Sequence, residues 1–81
     1  MDETRTYSVL IVEDAHDLRQ MLLDILHQAG FSNLIGAANC KEARTLFAIY
    51  HPHVVVLDIN LPDGDGFSLM QEMRQTTCLL Y

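Results

Sequence analysis

An 81-residue chain that is 49% hydrophobic and 20% charged suits one small globular domain with a single modest core. Five Lys and Arg against eleven Asp and Glu leave a net charge of −6, which excludes the basic surface that direct nucleic-acid binding requires. No apolar run is long enough to span a bilayer, and the opening "MDETRTYSVLIVED" lacks the basic-then-apolar pattern of a secretory signal. The expectation is a cytoplasmic protein with no membrane partner.

The first element is "YSVLIV" (7–12), a β-branched-rich apolar run of the kind that forms a strand buried on both faces. It ends on Glu13 and Asp14. Leu18, Met21, Leu22, Ile25, Leu26 and Ala29 then recur at helical spacing, and Gly30 stands where a helix C-terminal cap belongs. A weaker strand, "NLIGAA" (33–38), precedes Asn39 and Glu42, whose spacing is that of a capping box. The second helix carries Ala43, Leu46, Phe47 and Tyr50 on one face, and Pro52 closes it. "HVVVLD" (53–58) is the clearest buried strand. A loop over 59–66 follows, and Phe67, Met70 and Met73 mark a third helix to about Arg74. The order βαβαβα implies an α/β fold with a parallel sheet and right-handed crossovers.

In such a sheet, ligands bind at the carboxyl ends of the strands, where the strand order reverses. Glu13 and Asp14 end the first strand and Asp58 ends the third. If the third strand lies beside the first with the second on its other side, the order 2-1-3, three carboxylates meet at one crevice. Clustered carboxylates repel one another, and a hard cation relieves that repulsion. Magnesium fits, because it takes oxygen ligands and also contacts phosphate. A pair of acids at a strand end is by itself more often solvated, and Asp14 is also a candidate N-cap for the first helix.

Three other chemistries fail on spacing. An EF-hand register from Asp58 puts Pro62 at position five and Leu69 at position twelve, and one from Asp63 puts Ser68 at the glycine position. An aspartyl-phosphate phosphatase needs a general acid two residues after its nucleophile, where this chain has Asn60. Neither glycine-rich nucleotide-binding pattern occurs.

Taken together, "VLIVEDAHDLRQMLLDIL" and "VVVLDINLPDGDGF" resemble the receiver domain of two-component response regulators, from about Tyr7 to Arg74. The resemblance implies a flavodoxin-like three-layer α/β/α fold, (βα)3 as far as this chain runs. It makes Asp58 the phosphoacceptor, Asp14 a direct magnesium ligand, Glu13 a ligand through water, and Asn60 a ligand through its backbone carbonyl. Pro62 and Gly66 match the family's loop. The implied donor is a histidine kinase or a phosphotransfer protein, and the module is not an independent enzyme. Receivers continue into a fourth strand ending in Ser or Thr and a fifth ending near Lys, whereas the sole lysine here is Lys41. The expectation is therefore a partial receiver over 1–81, ending at or before the fourth strand, with phosphoryl transfer impaired.

The remaining chemistry-bearing residues are read as ordinary. His16, His27, His51 and His53 are surface or capping residues, Met70 and Met73 core filler, Asp63 and Asp65 solvated loop carboxylates with the alternative that either tunes metal affinity, and Cys40 and Cys78 structural thiols. The closing "TTCLLY" is short for a fourth strand, which leaves the third strand as a sheet edge. An apolar open edge is a template for pairing. That argues for a homodimer through the third-strand edge, with the rival outcome that "TTCLLY" folds back and covers the edge to leave a monomer. It also argues, as an alternative function, for an inert or structural fragment that self-associates there.

Overall fold

The computed structural model describes residues 7–58 and 60–74, and the backbone of 78–80. The chain runs β1 (Ser8–Val12), α1 (His16–Gln28), β2 (Asn33–Ala37), α2 (Cys40–Tyr50), β3 (Val54–Leu57), β4 (Asn60–Leu61), β5 (Gly64–Asp65), α3 (Gly66–Arg74) and β6 (Cys78–Leu80). The main sheet has the order β2-β1-β3-β6, and every pair in it is parallel. The 2-1-3 order and the three helices are as expected. The segment after β3, expected as a loop, contains a small antiparallel hairpin of β4 and β5.

The end of the sheet requires a correction. Cys78–Leu80 form a fourth strand that pairs with β3 from Val54↔Cys78 to Val56↔Leu80. β3 is therefore an interior strand, in keeping with its apolar sequence, and its ladder groups on that side already have partners. The expected homodimer through an open β3 edge loses its basis. Residues 75–77 and 81 of the closing segment lie outside the described residues.

Side-chain alternation along the strands divides the interior into two layers. Leu10, Val12, Ala37, Val55 and Leu57 share one core with Cys40 and Ala43 of α2, with Leu61, and with Leu69, Met70 and Met73 of α3. Met70 and Met73 are thus core filler, as expected. Arg44 of α2 and Glu72 of α3 tie these two helices by a two-pronged ion pair, with Nε to Oε2 at 2.9 Å and Nη2 to Oε1 at 3.2 Å.

The other face of the sheet meets α1 at Gly36, where an added Cβ would lie 3.3 Å from both Arg19 Cδ and Leu23 Cδ1. The helix sits rotated from its expected face. Leu18, Met21 and Ile25 are exposed, Leu22 and Leu26 of the expected face are half-buried, and Arg19 and Leu23 join them. The missed signal was Arg19, whose aliphatic stem can cover apolar surface while its charged head reaches a polar group.

Helix ends follow the sequence closely. Asn39 Oδ1 accepts from Glu42 N at 2.8 Å, and Glu42 Oε1 reaches back to Ala38 N at 2.8 Å. His51 takes the left-handed conformation at φ 48° and caps α2 ahead of Pro52. His53 takes a bracing role beside β1: its Nδ1 accepts from Ser8 N at 3.0 Å. At the end of α1, Phe31 N donates to Leu26 O and Gly30 N to His27 O, each at 3.1 Å. This is the Schellman arrangement, and it sets Gly30 at φ 109°.

A side chain at that φ is strained, so Gly30→Ala should destabilise the fold by about 1–2 kcal/mol. Urea unfolding checks this. A lower midpoint with an unchanged slope is expected, because the core is untouched.

Candidate phosphoryl and metal site

Two backbone hydrogen bonds carry the ladder one step past the strand ends. Glu13 N donates to Ala37 O and Asp58 N to Val12 O, each at 3.0 Å. With Val12 opposite Leu57, the residues that follow both strands emerge side by side. As a result, one carboxylate oxygen from each of Glu13, Asp14 and Asp58 lies within 4.8 Å of the others. The three acids singled out in the sequence are brought together.

Their surroundings differ. Asp14 is exposed, Asp58 half-buried and Glu13 buried at 8% exposure. Asp14 does not cap α1, because Ala15 occupies the N-cap position. It is Glu13 whose Oε2 accepts from Ala15 N, at 3.2 Å. Arg19 Nη1 holds the Glu13 carbonyl at 2.7 Å, which pins the turn between β1 and α1. Asp58 Oδ1 accepts from Asn60 N at 3.2 Å, so the loop begins with the acid folded onto its own backbone. Asn60 itself is exposed, at the start of the hairpin.

Burial pushes the Glu13 carboxyl above its ordinary 4.5, and the neighbouring Asp14 and Asp58 carboxylates push it the same way, against the Ala15 amide. The donor set is all oxygen, anionic, and open to water on the Asp14 side. Those features suit a small hard cation that keeps part of its hydration shell. The residues present therefore fit magnesium.

The other two loop aspartates are exposed, as expected of solvated loop carboxylates, but each also accepts from backbone amides that the expectation did not include. Asp63 Oδ1 accepts from Cys40 N at 2.7 Å and Oδ2 from Lys41 N at 3.0 Å, across more than twenty residues of sequence. These bonds hold its carboxyl below the ordinary 3.8, the Cys40 amide foremost. Asp65 Oδ1 accepts from Phe67 N at 3.0 Å and caps the first turn of α3. An Asp one residue before a helix start is a readable N-cap signal. Nothing local in the sequence pointed Asp63 at α2. Cys40 behaves as the structural thiol expected: it is buried, and burial followed by Asp63 raises its pKa.

Residues 9–79 match the response regulator receiver domain. The chain belongs to that family. Receiver domains are signalling modules, and relatives elsewhere agree. The transcriptional regulatory protein DpiA of Escherichia coli is 38% identical over 89% of this chain and 32% of its own length. The chemotaxis protein CheY of Bacillus subtilis is 35% identical over 85% of this chain and 58% of its own. A two-component response regulator structure from Clostridium difficile superposes with a TM-score of 0.83 at 32% identity, covering 90% of this chain and 61% of that one. The chain spans about a third of the length of the transcriptional regulators it matches. No helix among the described residues of this receiver is long and apolar enough to cross a membrane.

The raised Glu13 carboxyl has a signed consequence. The fold favours its neutral form, so the contribution is whole below pH 4.5 and is lost as pH rises through the raised value. Glu13→Gln keeps the shape and removes the charge. In EDTA the variant should melt above the parent at pH 7, with the gap closing as pH falls below the ordinary glutamate range. Equal melting temperatures at pH 7 would contradict the repulsion argument.

Proposed function

We propose that this receiver is a phosphoacceptor, with Asp58 taking a phosphoryl group from a phosphohistidine on a histidine kinase or phosphotransfer protein. The observation that carries the reading is the approach of Glu13, Asp14 and Asp58 oxygens to within 4.8 Å at the carboxyl ends of β1 and β3. An Asp58 carboxylate oxygen attacks phosphorus in line, and the N–P bond to the imidazole breaks. The product is an acyl phosphate on Asp58, and the imidazole leaves neutral after taking up a proton. A carboxylate nucleophile carries no proton to be removed, so a general base is not the requirement. What the transfer needs is positioning and cancellation of charge.

Asp14 and Asp58 would hold magnesium directly, Glu13 through water, and Asn60 through its backbone carbonyl. Bound there, magnesium supplies positive charge against the carboxylates and the phosphoryl oxygens. Asn60 in place of a second acid removes the group that would hydrolyse the product, which supports an acceptor rather than a phosphatase. The net charge of −6 supports a protein partner and argues against nucleic acid. The cytoplasm is the compartment that suits such a partner.

Magnesium titration followed by NMR should shift amides confined to the neighbourhood of Asp14 and Asp58, and an inert fragment would show no such pattern. Asp58→Asn should abolish labelling by acetyl phosphate or a cognate kinase, and labelling to the parent's extent would refute the assignment. The 81 residues tested alone should label slowly. Their one lysine, Lys41, belongs to α2, and each donor missing from the phosphoryl oxygens costs roughly 10²–10³ in rate. Labelling as fast as that of a version carrying both donors would count against impairment.

A further inference from the structure

The hairpin β4–β5 reaches across to a different layer of the fold. Asp63, at its turn, places one carboxylate oxygen on Cys40 N and the other on Lys41 N, at 2.7 and 3.0 Å. Those are the first two amides of α2, and Asn39 Oδ1 takes the amide of Glu42. Next to Asp63 the backbone approaches α2 so closely that a Cβ on Gly64 would lie 3.1 Å from Cys40 Sγ. The hairpin is thus fastened to α2 by a two-pronged, charge-assisted cap and a tight backbone contact. It is fastened to the acidic cluster at its other end by Asn60 N on Asp58 Oδ1 at 3.2 Å.

Both fastenings act on one short ladder. Asn60 pairs with Asp65 and Leu61 with Gly64, so the turn at Pro62 and Asp63 cannot shift without carrying Asn60 along. A two-residue ladder is too short to hold a position by itself. Something outside it must do so.

We propose that Asp63 is a positioning residue for the phosphoacceptor site, using the N-terminus of α2 as a fixed post that sets where the Asn60 carbonyl stands relative to Asp58. Asp63 touches neither metal nor phosphoryl group and acts through the hairpin. The inference rests on the reading of Asn60 as a metal ligand. It adds that α2, which contributes no carboxylate to the cluster, governs the site's geometry.

The test compares the parent with Asp63→Ala, Asp63→Asn and Asn39→Ala. Asn39→Ala removes a cap from the same helix end but leaves the hairpin attached, so it lowers stability without loosening the site. Amide hydrogen exchange in the hairpin should rise by about tenfold or more in Asp63→Ala and stay at the parent's rate in Asn39→Ala. Magnesium affinity, read from amide shifts, should fall by about tenfold in Asp63→Ala. Asp63→Asn keeps one acceptor and should fall between, and it decides the matter if Asp63→Ala does not fold. Unchanged hairpin exchange in the Asp63 variants overturns the proposal, as does an equal loss of magnesium affinity in Asn39→Ala. If the parent itself shows no magnesium shifts, the metal reading fails and the positioning role at the site falls with it, whereas normal magnesium shifts with an unaltered hairpin sink the positioning role alone.

Discussion

The register between β1 and β3 is the constraint on which the acidic end of the sheet depends. Val12 stands opposite Leu57, and the Asp58 amide closes the ladder on the Val12 carbonyl. Because successive side chains point to opposite faces, a slip of one residue would send Leu10, Val12, Val55 and Leu57 away from the core they share with α2 and α3. The apolar pattern therefore locks the register, and the locked register sets three carboxylates at one place. Charges that repel one another are held together by hydrocarbon burial elsewhere in the same strands.

That arrangement explains why the turn after β1 is so heavily tethered. Left to themselves, Glu13 and Asp14 would swing away from Asp58. The Arg19 guanidinium on the Glu13 carbonyl and the Ala15 amide on the Glu13 carboxylate hold the backbone and one side chain in place. Gly36 is part of the same device, since its bare backbone leaves room for the Arg19 stem. Here a small residue in an otherwise weak strand bears on the turn that carries Glu13. The placement of the acidic cluster is reached through packing one element away.

Much of this was legible because the signals were local. Burial of β1 on both faces, the capping box at Asn39, the glycine after α1 and the acids ending β1 and β3 each follow from residues close together in sequence. The handedness of the crossovers does not by itself choose the 2-1-3 order over 1-2-3, and that order came with the resemblance to receiver domains. What stayed hidden depended on partners far away. The exposure of Leu18, Met21 and Ile25 follows from Arg19 lying against Gly36, which helical periodicity alone does not contain. The placement of Cys78–Leu80 beside β3 turned on three residues too few to show a pattern, and it removed the open edge on which self-association was argued.

The three aspartates between Asp58 and Gly66 show the same divide within a single loop. They are one residue type, but the backbone gives them different neutralising partners. Asp65 lies one residue ahead of α3 and takes an amide of that helix's first turn; Asp63 takes two amides at the start of α2. Each has its negative charge set against the positive end of a helix. Asp58 follows a strand instead, takes one amide from its own loop, and faces two further acids. Helix termini supply amides to the first two carboxylates, and the third stands among other acids. A charge count over the loop cannot separate them, because what differs is which backbone donors the fold turns toward each one.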